Sequence, residues 1–486
     1  MKNEYRCFFS FQVISYDYND CTMNKLGNYI TGNWITGDGD GQALYNAVTG
    51  DVIGAASTKG LDFKSITEYA RTVGNPALRK MTFHARGNML KTLALHLRNH
   101  LDKFYVISYQ SGATKADSWV DIEGGIGNLF ANASLRRKFP DEVFCIDGES
   151  HNLSLNKTFM GTHILSPKEG VAIHINAFNF PVWGMLEKIA VNLLAGMPCI
   201  VKPATVTSYL TEVVVKEIIA SKILPEGALQ LVCGSAGDLL DHVTSQDVVT
   251  FTGSATTGLM LKSNQHILRE SVPFTMEADS LNCIVMGEDV KPGMPEWDIF
   301  IKEIRKEMTL KAGQRCTGIR RIFVQENKME DVWKAIGSSL SQTVIGNPLN
   351  STVRMGSLAG QSQRNEVKEQ VQKLLASSQI VYGSLDSVEV VDADANKGAF
   401  MSPVLLMNEN PFTATAAHDV EAFGPVSTIM PYKNLVEAIV LSKLGKGSLC
   451  STIVTADYKQ ARQYVVGAAT HHGRILVLNN ECAEES

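Results

Sequence analysis

Two different periods of apolar and polar positions run along the chain. From Asn28 to Ile35 the alternation is strand-like, and Gly37-Asp38-Gly39-Asp40-Gly41 follows as a turn. Leu90, Leu93, Leu97, Leu101 and Phe104 then recur at helical steps, which predicts one helix with a single buried stripe. In the middle third, short apolar runs alternate with helical stretches. Val171–Ile175, residues 199–203, 230–233 and 248–251 read as buried strands, with Thr207 or Ser208 expected to cap the helix after the second. The rhythm repeats later: a helix over residues 297–312, a strand over 321–324, a helix over 330–344, strands at 426–430 and 451–455, and a helix from Leu435. Strands separated by crossover helices predict two α/β units with parallel sheets.

Length agrees with two units, since 486 residues can bury more than one core. A charged fraction of 20% and a net charge of −5, without a basic block, argue against nucleic-acid binding. No apolar run reaches the ~18 residues a membrane span needs. The apolar stretch 7–14 is short, broken by polar residues and not followed by a small-residue cleavage site. Residues 1–22 are therefore expected to be an extension, with Met23 opening the folded chain. The nine cysteines are odd in number and show no C-x-x-C pair, which points to a reducing, cytoplasmic compartment.

Three segments carry candidate chemistry. Cys316 lies in Ala312-Gly313-Gln314-Arg315-Cys316-Thr317, where Gly-Gln breaks a helix and presents the thiol to a cleft. The other eight cysteines read as small buried hydrophobes. Glu277, in Met276-Glu277-Ala278-Asp279-Ser280-Leu281-Asn282, sits at the end of an apolar strand, where a partly desolvated carboxylate suits a general base. Asn179, between Phe178 and Phe180-Pro181, is an amide in a stiff turn, able to donate to a developing oxyanion. Phe251-Thr252-Gly253-Ser254 places a glycine between strand and helix, where free N–H groups suit a pyrophosphate. His96 and His100 are one turn apart, but no third ligand is evident, so no metal site is expected.

Together these segments resemble the aldehyde dehydrogenase superfamily. The family's motifs appear in order: Asn179-Phe180-Pro181, Lys202-Pro203-Ala204, Phe251–Ser254, Glu277, Cys316, and Glu421-Ala422-Phe423-Gly424-Pro425. The resemblance implies two Rossmann-like α/β domains with a β-flap for oligomerisation. These are a cofactor-binding domain over 23–280, with the flap hairpin near 145–168, and a catalytic domain over 281–480. It implies Cys316 as nucleophile, Glu277 as water-activating base and Asn179 as oxyanion donor. Lys202 and Glu421 would hold a cofactor ribose, Phe423 would wall the nicotinamide, and Gly253 and Ser254 would take the pyrophosphate. NAD-preferring relatives carry an acidic residue after Lys-Pro-Ala. Here that residue is Thr205, so NADP is expected to be preferred over NAD.

The wording of these motifs is similar to the dehydrogenase half of the bifunctional ring-opening enzymes of phenylacetate degradation. That likeness implies a CoA-linked aldehyde substrate, 3-oxo-5,6-dehydrosuberyl-CoA semialdehyde. The alternatives are 3,4-dehydroadipyl-CoA semialdehyde, from benzoyl-CoA degradation, and a cofactor-binding remnant without turnover. A homo-oligomer is expected of the full-length form. The chain ends at Asn480–Ser486, where relatives continue, so a hydratase domain is expected to be absent.

Overall fold

The computed structural model describes residues 24–483; the expected extension 1–22, Cys7 and Cys21 lie outside it. The described residues form twenty strands, β1 to β20 in chain order. Two antiparallel pairs open the chain, β1 (Asn28–Ile30) with β2 (Asn33–Ile35) and β3 (Gln42–Tyr45) with β4 (Val52–Ala56). A long hairpin follows, in which β5 (Cys145–Ile146) pairs with β8 (Ile164–Leu165) and β6 (His151–Asn152) with β7 (Met160–Gly161). Then come β9 (Ala172–Ile175), β10 (Cys199–Lys202), β11 (Leu229–Leu231), β12 (Val248–Gly253) and β13 (Phe274–Ala278). The second half holds β14 (Cys283–Met286), β15 (Arg321–Gln325), β16 (Gln379–Tyr382), β17 (Val404–Met407), β18 (Val426–Tyr432), β19 (Ser448–Val454) and β20 (His472–Leu478).

Two seven-stranded sheets result, ordered β13-β12-β9-β10-β11-β1-β2 and β16-β17-β18-β15-β14-β19-β20. The pairs from β13 to β11 and from β17 to β20 are parallel. Each sheet is covered on both faces, as parallel strands require. Along β9, Ala172 faces the core built on helices Phe83–Arg98 and Pro181–Leu194, whereas Ile173 and Ile175 face the opposite cluster with Phe63 and Ile66. Along β15, Ile322 and Val324 face one cluster and Phe323 the other. Among the described residues, no helix is long and apolar enough to cross a membrane.

Several expected boundaries shift. The stripe Leu90–Phe104 is two helices, Phe83–Arg98 and Leu101–Ser108, because His100 leaves helical geometry (φ −122°, ψ 19°). The helix expected over 297–312 is Pro295–Thr309, and that over 330–344 is Met329–Leu340. Neither Thr207 nor Ser208 caps helix Ser208–Ala220 with its side chain. A 3₁₀ turn, Thr205–Thr207, leads in instead, and both hydroxyls donate elsewhere: Thr207 to the Phe178 carbonyl (3.1 Å) and Ser208 to that of Thr205 (2.7 Å).

Candidate active site

The Cys316 loop starts where helix Pro295–Thr309 stops. Lys311 (φ 54°), Ala312 (φ 51°) and Gly313 (φ 69°) are left-handed in succession. For L-residues this costs roughly 1–2 kcal/mol each, so the surroundings must over-determine it. They do. The Lys311 N–H donates to Asp117 Oδ1 (2.6 Å) and its ammonium to Ser111 Oγ (3.0 Å). Gln314, fully buried, donates through Nε2 to the Lys311 carbonyl (3.0 Å) and accepts from the Ala359 N–H (3.0 Å). Gly313 is required, because a Cβ there would stand 2.2 Å from the Gly424 carbonyl oxygen.

Beyond the turn, buried Asn282 donates to the carbonyls of Cys316 (2.8 Å) and Gly318 (3.0 Å). The segment that carries the candidate base therefore also holds the backbone of the candidate nucleophile.

Asn179 docks onto the same loop. Its Nδ2 donates to the Gln314 carbonyl (3.0 Å), and an amide has a second N–H that this bond leaves over. The turn around it is held from two sides, by Thr207 on Phe178 and by Asp121. Asp121 Oδ1 accepts from Val182 N–H (3.0 Å) and Trp183 N–H (2.7 Å) at the start of helix Pro181–Leu194. Burial pushes the Asp121 carboxyl up to about 7, and raises Asp117 while lowering Lys311. Asp117 and Asp121 thus bolt the Cys316 loop and the Asn179 turn to one segment. Asn282, Gln314, Lys311, Asp117 and Asp121 were not among the residues expected from the sequence.

Cys316 is half-buried, and burial, then the Glu277 charge, push its thiol up to about 11. Glu277 lies near the end of β13, in register with Thr252 of β12. A thiol held that far above its usual value stays protonated near neutral pH. It needs a local base to react; of the two carboxylates whose charge raises it, Glu277 acts more strongly than Glu187. Alkylation of Cys316 by iodoacetamide in the free protein should rise roughly tenfold per pH unit from 7 to 10, without a plateau near 8.5. A plateau below pH 9 would show a thiolate already formed.

The cofactor candidates converge less evenly. Lys202 ends β10, and burial lowers its ammonium pKa. Thr205 begins the 3₁₀ turn beyond it. The Glu421 carboxylate is buried; it accepts from the Ser280 N–H (3.1 Å) and pairs with Arg320 (3.1 Å). Phe423 meets Phe178 edge-on, ring centroids 5.8 Å apart. A buried carboxylate with lone pairs to spare, an ammonium and an aromatic wall suit a ribose and a flat nicotinamide. At Gly253-Ser254 the expected free N–H groups are partly taken. Ser254 caps helix Ala255–Lys262, and the Ala255 N–H donates to Asp279 (2.9 Å).

His96 and His100 do meet a third residue, contrary to expectation. Glu217, from helix Ser208–Ala220, lies 2.8 Å and 3.3 Å from their Nε2 atoms and also takes Lys103 (3.0 Å). It was invisible locally because it is 121 residues from His96, and its carboxylate is occupied by the two imidazoles and the Lys103 ammonium. The reading of all other cysteines as buried holds for Cys199, Cys233 and Cys283. It fails for Cys145, on the hairpin, and for Cys450 and Cys482, which are partly exposed.

Residues 34–481 match the aldehyde dehydrogenase family. The 3,4-dehydroadipyl-CoA semialdehyde dehydrogenase of Aromatoleum evansii is 40% identical over 456 residues, covering 94% of this chain and 88% of that one. Glutarate-semialdehyde dehydrogenase of Pseudomonas aeruginosa is 25% identical, covering 96% and 92%. Among solved structures, betaine aldehyde dehydrogenase of Staphylococcus aureus in complex with NAD+ superposes with a TM-score of 0.81 at 20% identity, covering 93% and 86%. An NADP-dependent enzyme of E. coli gives 0.80 at 20% identity, covering 95% and 92%. With the parallel-sheet fold, these matches establish that the chain belongs to the aldehyde dehydrogenase family.

Proposed function

We propose that this protein oxidises a CoA-linked semialdehyde to its carboxylate with NADP or NAD, and that the substrate is of the 3,4-dehydroadipyl-CoA kind. What supports this reading is Asn179, which donates to the Gln314 carbonyl two residues before Cys316, together with the Glu277 charge that acts on the Cys316 thiol. The substrate class rests on the full-length relative at 40% identity. That likeness favours the benzoyl-CoA alternative over the phenylacetate substrate ranked first from the motif wording.

Glu277 takes the Cys316 proton, and the sulfur adds to the aldehyde carbon. Asn179's remaining amide N–H and the Cys316 backbone N–H face the oxygen that becomes negative. Lys202, Glu421 and the Phe423 wall would hold a nicotinamide dinucleotide, with Gly253 and Ser254 toward its pyrophosphate, and the cofactor would supply the hydride acceptor. The acyl group then remains on Cys316 as a thioester. Glu277 deprotonates the water that releases it as a carboxylate. Residues 23–280 form the cofactor-binding unit and 281–480 the catalytic unit. A cytoplasmic homo-oligomer fits the chain, and the hairpin at 145–165 leaves Ile146, Leu155, Phe159 and Ile164 exposed for a second copy to cover.

Comparison of kcat/KM for the two CoA semialdehydes tests the substrate. The 3,4-dehydroadipyl compound should be preferred by about tenfold or more; the reverse order would restore the phenylacetate reading. NADP preference rests on the absence of negative charge at Thr205. Thr205→Glu should lower the NADP-to-NAD ratio of kcat/KM by about tenfold or more through repulsion of the 2′-phosphate. An unchanged ratio would remove Thr205 from cofactor choice.

A further inference from the structure

The guanidinium of Arg320 is spent wholly inside the protein, on two loops that meet at the site. Its Nε donates to Glu421 Oε1 (3.1 Å) and one terminal nitrogen to the Gly424 carbonyl (2.8 Å), both in the loop assigned to the cofactor. The other terminal nitrogen donates to the carbonyls of Gly313 (3.0 Å) and Arg315 (3.2 Å), in the nucleophile loop. Its carbon lies 5.3 Å from the centre of the Phe423 ring. Both members of the Arg320–Glu421 pair are 5% exposed, so neither charge has water as a substitute partner. The loops also touch directly, since Gly313 has no room for a Cβ against Gly424 and Pro425.

We propose that Arg320 is a positioning residue that couples the ribose carboxylate Glu421 to the placement of Cys316. The proposal rests on the reading of Glu421 as a ribose ligand and Cys316 as nucleophile. A planar guanidinium presents its donors in a fixed fork, so it sets the plane of the Glu421 carboxylate and the path of the 313–315 backbone at once. Burial raises the Glu421 carboxyl pKa, and the Arg320 charge opposes this. Ser280 fixes the second carboxylate oxygen, leaving each oxygen a lone pair for a ribose hydroxyl. A shift in the carboxylate therefore reaches the residue that precedes Cys316 through one rigid group. Cofactor that engages Glu421 correctly should tighten the nucleophile loop, and cofactor that does not should leave it loose.

A double-mutant cycle between Arg320 and Glu421 tests this, with Arg320→Gln, Glu421→Gln and the pair in the full chain. Cofactor KM and the rate of the first NADPH-forming turnover are read for each, and melting temperatures are followed alongside. Arg320→Gln should raise KM about tenfold and slow the first turnover about tenfold, with both losses mostly absent when Glu421 is already Gln. Arg320→Lys, which keeps the charge but loses the fork, should recover KM more than the first-turnover rate. Additive effects of the two substitutions would overturn the coupling while leaving Glu421 as a ribose ligand. If Glu421→Gln leaves KM unchanged, the ribose reading itself falls, and the proposal with it. If Arg320→Gln melts too low to assay, Arg320→Lys carries the test. Equal recovery of KM and first-turnover rate by lysine would overturn the positioning role.

Discussion

Replacing Cys316 with alanine is expected to abolish aldehyde-dependent NAD(P) reduction, by about five orders of magnitude or more, with the fold intact. The substitution removes one sulfur from a half-buried position, and such a change costs at most about 1 kcal/mol. No neighbouring thiol can take over. Cys450 is the nearby candidate, its sulfur 3.5 Å from the Thr317 carbonyl and 3.5 Å from Asn282 Oδ1. Burial pushes that thiol up to about 12. Without a sulfur there is no covalent acyl group, and losses on removing a nucleophile are of that size. The assay is steady-state NADPH formation with a melting curve for each protein. Turnover within tenfold of the unmodified protein would rule out the thioester route.

Glu277→Gln should separate the two halves of the reaction. Glutamine keeps the shape but cannot take a proton, so the thioester forms and then persists. Stopped-flow should show about one equivalent of NAD(P)H per site, followed by a steady rate lower by about 10²–10⁴-fold. The burst itself should be slower at pH 7, because the Cys316 thiol, pushed up to about 11, has lost the base that deprotonates it. Its pH dependence carries a sign. The Glu277 charge is one cause of the raised thiol pKa, so its removal lowers that pKa. The variant's burst rate should then climb roughly tenfold per pH unit and level off below pH 11. A burst that is absent at every pH would place Glu277 before thioester formation only.

The fold and the candidate site were legible because the family's motifs sit in short strings. Asn179, Glu277 and Cys316 each lie in a segment whose immediate neighbours set its exposure, and the strands around them follow from apolar runs. The supports were not legible, since their meaning depends on partners far along the chain. Lys311 donates to Asp117, 194 residues away, and Asn282 to Cys316, 34 residues away. Arg320 reaches Glu421 across 101 residues. The left-handed path through Lys311 and Ala312 was hidden for another reason: local preference opposes it, and tertiary bonds override that preference. The same override explains why the helix expected to reach Ala312 ends at Thr309. At Ser254, the sequence showed a free helix start but not that Asp279 would turn back to occupy it.

The most direct test of the account is to find where the substrate carbon becomes attached. Glu277→Gln should be incubated with the CoA semialdehyde and NADP, quenched in acid and digested with trypsin. Cleavage after Arg315 and Arg320 frees the peptide Cys316-Thr317-Gly318-Ile319-Arg320. The account predicts that this peptide carries the acyl mass in proportion to the NADPH formed, about one per site. NADPH formation with the peptide unmodified, or with the acyl group on Cys450, would contradict it.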